Sequence, residues 1–139
     1  MSQSQSAGYS GTPLIKKLGI KPGNRVAFVH APDHYLDLLG PLPDGVEFLS
    51  LEAEQLDFVH AFYVEREQLA AEFAKLAAAI AKHGMVWISW PKKASKVPTD
   101  ITGNDVREVG LEAGLVDVKV AAVDAVWSGH KFVYRKSDR

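Results

Sequence analysis

The sequence predicts an α/β domain, a mostly parallel sheet in a three-layer sandwich that ends in an antiparallel hairpin. Three observations predict it. Short runs rich in valine, isoleucine and aromatic residues alternate with helical segments from Arg25 to Val120, an order that gives right-handed crossovers and a parallel sheet. The last two strand-like runs are joined by a short link around Asp124–Ser128, which forces them antiparallel if they pair. No repeat or interdomain linker interrupts the 139 residues, a length that suits one domain.

Residues 1–8 alternate serine and glutamine and read as a disordered tail, leaving 9–139 as the domain. Thr12 offers an N-cap, Pro13 the first helical position and Gly19 a stop, with Leu14, Ile15 and Leu18 on one face. After the Lys21-Pro22-Gly23-Asn24 turn, Arg25–His30 has the compact apolar pattern of a buried parallel strand. Asp33 can cap a short helix carrying Tyr35, Leu36 and Leu39, which Gly40 ends. Val46–Leu51 and Asp57–Val64 read as the second and third strands.

Glu65–His83 reads as a long helix, with Leu69, Phe73, Leu76 and Ile80 at helical spacing, Lys82 and His83 at its end, and Gly84 as its stop. Met85–Trp90 is a fourth strand broken by Pro91. Thr102 and Asp105 form a capping-box pattern for a helix ending at Gly114. Val116, Val118 and Val120 alternate with Asp117 and Lys119 as a half-buried strand, and Lys131–Arg135 is the last strand.

Composition narrows function by exclusion. Hydrophobic residues make up 47% and charged residues 24%, with a net charge of −1. That balance provides no global pull toward nucleic acid or an anionic membrane. The absence of cysteine removes disulfides, thiolate metal sites and cysteine nucleophiles, and suits a reducing cytoplasm. No signal-peptide pattern opens the chain, and Leu69–Ala81 is too short and too charged to cross a bilayer. The expected location is cytoplasmic.

A parallel sheet finishing in a hairpin resembles the C-terminal half of the methyltransferase-like Rossmann arrangement. Five segments also resemble a family of small bacterial proteins that carries a domain-of-unknown-function label. They are Tyr9-Ser10-Gly11-Thr12-Pro13-Leu14, Lys17-Leu18-Gly19-Ile20, Trp87–Ser95 with its Trp-Pro-Lys-Lys block, Val116–Val120 and Trp127-Ser128-Gly129. The resemblance implies a bacterial, non-secreted protein and brings no established activity with it.

Ligands of open α/β sheets bind at the carboxyl ends of the parallel strands. Here the loops at that edge follow His30, Leu51, Val64 and Trp90. In the methyltransferase-like order the final strand lies beside the strand ending at Trp90, so Trp90–Lys96 and Asp124–Lys131 are expected to meet. The site this suggests has Lys92 and Lys93 for charge, Ser95 and Ser128 for hydrogen bonds, and Trp90 and Trp127 as walls, with His130 nearby. Lys96 and Thr99 share the same loop. The expected partner is a small anionic ligand or an acidic protein segment.

A methyl-donor or dinucleotide site needs glycine in the turn after the first strand, where backbone must approach ligand. That turn reads His30-Ala31-Pro32-Asp33-His34, and Ser50 stands where an acid usually ends the second strand, with Glu52 nearby. No cofactor is therefore expected. No metal is expected either, because His30, His34 and His130 lack a matching carboxylate spacing. Two rival readings remain. One is a divergent nucleotide- or SAM-dependent transferase using His30, Asp33 or His130 as acid/base groups. The other is an interaction protein that pairs through Val46–Leu51 as an edge strand.

Overall fold

The computed structural model describes residues 13–139. The tail, the Thr12 cap and the Tyr9–Thr12 part of the first motif lie outside the described residues. Helix α1 (Leu14–Leu18) leads into strand β1 (Arg25–Val29) and helix α2 (Tyr35–Leu39). Strands β2 (Glu47–Phe48) and β3 (Leu56–Phe62) follow, then helix α3 (Arg66–Ala79) and strand β4 (Ile80–Pro91). Helix α4 (Gly103–Glu112) precedes the closing hairpin of β5 (Leu115–Ala122) and β6 (Trp127–Tyr134).

These strands form one six-stranded sheet in the order β2-β1-β3-β4-β6-β5, in which β6 runs opposite to the other five and every pairing that excludes it is parallel. The final strand inserts beside β4, as the resemblance to the methyltransferase-like arrangement implies. Strand alternation divides the core between two faces. Val86, Ile88, Trp90 and Phe132 pack with Leu69, Phe73 and Val106 under α3 and α4. Phe58, Phe62 and Trp87 pack with Leu14, Leu18, Tyr35 and Leu39 under α1 and α2.

Three element expectations need correction. α3 stops at Ala79, four residues before His83, because Ile80 turns extended and pairs with Leu56. The ladder then bulges before Phe58 pairs with Met85. His83 caps no helix and instead contacts Asp57 at 2.7 Å. The second strand is only Glu47–Phe48, both exposed, and residues 51–53 coil into a 3-10 turn. That leaves too short an edge for the pairing surface read from Val46–Leu51. In β5, Val118 and Val120 are exposed, because the strand is the sheet's outer edge and bulges between Asp117 and Lys119.

Two close approaches fix the layers. A Cβ at Gly110 of α4 would run into the Phe132 ring, so glycine lets that helix sit directly on β6. A Cβ at Gly129 would stand 3.1 Å from Trp87 Cε3. The Ser-Gly-His stretch is thus open at its centre to admit a core indole, whose Nε1 donates to Leu18 O at 2.8 Å. Trp87 is core, as its mid-strand place suggests.

Candidate functional site

The two expected segments do meet. Trp90 pairs in register with Ser128 and Pro91 with Trp127, and Lys92 N donates to Val126 O at 2.7 Å. They do not, however, make one cleft. Successive residues of a strand point to opposite faces, so Trp90 lies under α3 and α4 while Trp127 belongs to the α1/α2 side. There Trp127 packs edge-on against Phe62, ring centres 5.1 Å apart. The two indoles are not the walls of one pocket, nor do they pack on each other.

The hydroxyls of the loop are also committed elsewhere. Ser95 Oγ donates to Lys92 O at 2.7 Å and accepts from Val97 N. Thr99 Oγ1 donates to Val64 O at 2.7 Å and accepts from Ile101 N. These bonds hold the loop in shape and leave Ser95 little to offer a ligand. Lys92 is half-buried; burial, then the charge of Lys119 and last that of Lys92 push the Lys17 ammonium down. Lys93 alone of the lysine pair lines the pocket described next.

That pocket, about 390 Å³, lies between the end of β4 and the start of α4. Trp90, Pro91, Lys93, Ile101, Thr102 and Gly103 are among its lining residues. The loop 92–102 returns over Val64 to reach α4, whose capping box is complete: Thr102 and Asp105 each bond the other's backbone. Arg66 Nε reaches Asp105 at 3.1 Å, and its backbone N donates to Asp100 at 2.7 Å. Sequence reasoning found the capping box but missed that the helix start it creates faces the tryptophan.

Trp90 is 8% exposed and His130 9%. Their rings meet edge-on with centres 5.1 Å apart. His130 Nδ1 is buried without a hydrogen-bond partner. Burial pushes the His130 pKa down, Asp117 opposes that, and Arg107 adds to it, so the ring is neutral near pH 7.

The turn after β1 tells a different story. His30 takes φ +56°, a conformation that favours glycine, and its Nε2 contacts Glu72 at 3.0 Å. Tyr63 Oη donates to the same carboxylate at 2.7 Å, and Gln68 adds a further bond. Burial pushes the Glu72 carboxyl up, but hydrogen bonds from Tyr63, His30 and Gln68 outweigh it and hold it below the usual range. On the other side of the turn, His34 Nε2 contacts Asp124 at 2.9 Å, and Asp124 also accepts from Val126 N and Trp127 N. Glu72 and Tyr63 were not anticipated; only their strand-end and helix-face spacing could have suggested them.

Comparison with known proteins settles the fold. A SAM-dependent methyltransferase from Aquifex aeolicus matches with a TM-score of 0.61 at 17% identity, over 86% of each chain. A DhpI–SAH complex matches with a TM-score of 0.61 at 14% identity, over 89% of this chain and 83% of that one. Aeropyrum pernix fibrillarin with bound S-adenosyl-L-methionine matches with a TM-score of 0.56 at 13% identity, over 91% and 70%. The fold is methyltransferase-like. No family model and no curated protein matches the chain.

A methyl donor does not fit the turn after β1 in the way a glycine-rich turn would hold it. Pro32 has no backbone N–H, His30 carries a side chain where close approach is needed, and contacts to Glu72 and Asp124 pin the turn from both sides. Among the described residues no group of acids and histidines could hold a metal ion. No helix among them is long and apolar enough to cross a membrane.

Proposed function

We propose that this protein is a divergent methyltransferase-fold domain that binds a small molecule in the Trp90–Gly103 pocket rather than a methyl donor at the turn after β1. One observation carries the reading: a pocket of about 390 Å³ opens at the carboxyl end of β4 with Trp90 in its wall, and His130, packed edge-on against Trp90, has a buried Nδ1 without a partner. Buried polar groups in native proteins are nearly always bonded. An unmet imidazole nitrogen behind the wall of a concave, largely apolar site supports a ligand there. This reading keeps Trp90, Lys93 and His130 from the expected site and drops Trp127, Ser95 and the paired-lysine cleft. The cysteine-free composition fits action in a reducing cytosol.

The test is a thermal-shift panel of S-adenosylhomocysteine, nucleosides, small carboxylates and inorganic phosphate, run on the wild type and Trp90→Phe. A ligand at a hundred times its Kd stabilises by about 2.7 kcal/mol. At least one compound should raise the wild-type midpoint, and Trp90→Phe should reduce that shift. A panel with no effect on the wild type, or an equal effect on both proteins, would overturn the reading.

A second reading is a SAM-dependent transferase, and the likeness to proteins solved with SAM or SAH favours it over a bare anion cleft. In it His30, Asp33 or His130 would serve as acid/base groups. It predicts that S-adenosylhomocysteine stabilises the protein and that Glu72→Gln, not Trp90→Phe, removes the effect.

A further inference from the structure

We infer that the lysines gathered around the end of α1 and on the closing hairpin, together with the apolar hollow beside α1, form a docking surface for an acidic, leucine-bearing segment of another protein. The surface lies on the α1/α2 layer and does not depend on the Trp90 pocket in the other layer.

Sheet register brings the charges together. A Cβ at Gly129 of β6 would meet Trp87 of the α1/α2 core, so Lys131, two residues on, faces the same layer. Lys119 of β5 is its direct cross-strand partner, and Lys119 Nζ donates to Lys17 O near the end of α1 at 2.9 Å. Lys21 is exposed in the turn that follows α1. Burial, then the charges of Lys119 and Lys21, push the Lys131 ammonium down, so these three cations feel one another. Like charges directly opposite in a ladder destabilise a sheet. The ion pairs among the described residues use none of Lys21, Lys119 and Lys131. Asp117 is no counter-ion for them, because it pairs across from Phe132 and is held by Arg107 of α4 in the other layer. Asp124 at the hairpin tip is taken by His34. Negative charge arriving from outside relieves this repulsion.

The hollow decides what kind of anion arrives. It measures about 550 Å³ and is lined by Ile15, Ile20, Pro22 and Pro43, with Lys16 and Lys21 among them. Lys21 thus belongs to both the cationic surface and the apolar one. Asp44 follows Pro43 in the chain, and the lysines outnumber it. A nucleic-acid backbone has phosphates for the lysines but no aliphatic group for the hollow, and none of the lining residues is an aromatic on which a base could stack. The net charge of −1 also opposes a long polyanion. A protein segment that sets carboxylates around a leucine satisfies both parts of the surface.

The probe is a short labelled peptide that alternates pairs of glutamates with single leucines, followed by fluorescence anisotropy against the full 139-residue chain at about 50 mM salt. Binding is expected, with about tenfold loss at 300 mM salt. Lys21→Gln and Lys131→Gln should each weaken it about threefold, and the two together about tenfold. Lys131→Arg keeps the charge and should bind as the wild type does. Ile15→Ser leaves every charge in place and should weaken binding about threefold or more through the hollow. In ¹⁵N spectra of the wild type, which need no variant to fold, the peptide should move the Ile20, Lys21 and Lys131 amides and leave Gly103 in place.

A Kd weaker than about 1 mM overturns the proposal. So does equal binding of a peptide with serine in place of leucine, or shifts confined to amides elsewhere. An oligouridylate or phosphatidylserine vesicles binding at the same amides more tightly than the peptide would reassign the surface to nucleic acid or membrane. Amides of Ile20 and Lys21 that move with Tyr9→Ser, in the absence of peptide, would assign the hollow to the chain's own N-terminal segment. The same amides moving with protein concentration alone would assign it to a second copy. Each of these results leaves the Trp90 pocket reading untouched.

Discussion

His60 makes the protein's acid stability a calculable quantity. The ring is fully buried in β3, stacked on Phe62 at 4.2 Å between centres. It is held between Tyr35 Oη at 2.6 Å and Ser89 Oγ at 2.8 Å, so a neutral imidazole satisfies both nitrogens, one as donor and one as acceptor. Burial pushes its pKa from 6.5 down to about 3. The folded ring thus binds its proton more weakly than the unfolded one. Its contribution to stability is complete above pH 6.5 and is lost as pH falls from there toward 3. Two pH units below 6.5, the loss is about 2.7 kcal/mol, from about 1.36 kcal/mol per unit. The perturbation is His60→Gln, which keeps polar capacity and cannot titrate. Urea denaturation at pH 7.0 and pH 4.5 should show the wild type losing about 2–3 kcal/mol more than the variant between the two values. The variant's own cost at pH 7 does not enter, because only the difference in slope is read. Parallel pH dependences in the two proteins would refute the reasoning.

Two further outcomes follow from packing and hydrogen bonding. Gly110→Ala places a methyl against the Phe132 ring and should destabilise by about 1–3 kcal/mol in urea melts, despite alanine's advantage in a helix; a more stable variant would mean that α4 does not sit on β6 as described. Tyr63→Phe removes the 2.7 Å bond to Glu72, so the Glu72 pKa should rise, which a carboxyl-carbon NMR titration follows; an unchanged value would show that Tyr63 does not hold that carboxylate.

Much of the fold is legible because its signals are local. The Thr102–Asp105 box, the apolar runs at Arg25 and Met85, and the short hairpin link each act over a few residues, and each marks a real element, although β4 begins at Ile80 rather than Met85 and β6 at Trp127 rather than Lys131, where pairing with β3 and with β4 extends the two strands. The misreadings arise where tertiary pairing overrides local pattern. Ile80 fits the helical stripe of α3 perfectly well by spacing, yet a backbone partner at Leu56 draws it into β4. Val118 and Val120 alternate like a half-buried strand, but no neighbour covers them at the sheet's edge. The site is legible only in part, for the same reason. That β6 lies beside β4 follows from topology, whereas which residues share a face depends on register.

Register is also what separates the two surfaces at the carboxyl edge. Pairing Pro91 with Trp127 and Trp90 with Ser128 sends the two indoles to opposite layers, so a single shift would exchange them. On the α1/α2 side Trp127 closes against Phe62, and the His34–Asp124 contact ties the hairpin tip to the turn after β1. Glu72 closes the other flank of that turn through His30. Where a ligand site at this turn would need glycine-rich backbone, this chain has side chains that satisfy one another. Among the described residues the buried side-chain nitrogens left unmet are Arg25 Nε in β1 and His130 Nδ1 in β6, the latter packed against Trp90. The turn after β1 is filled by internal hydrogen bonds, and a buried imidazole nitrogen is left unmet behind Trp90; that contrast is the physical basis for testing for a ligand beside Trp90 rather than at the turn.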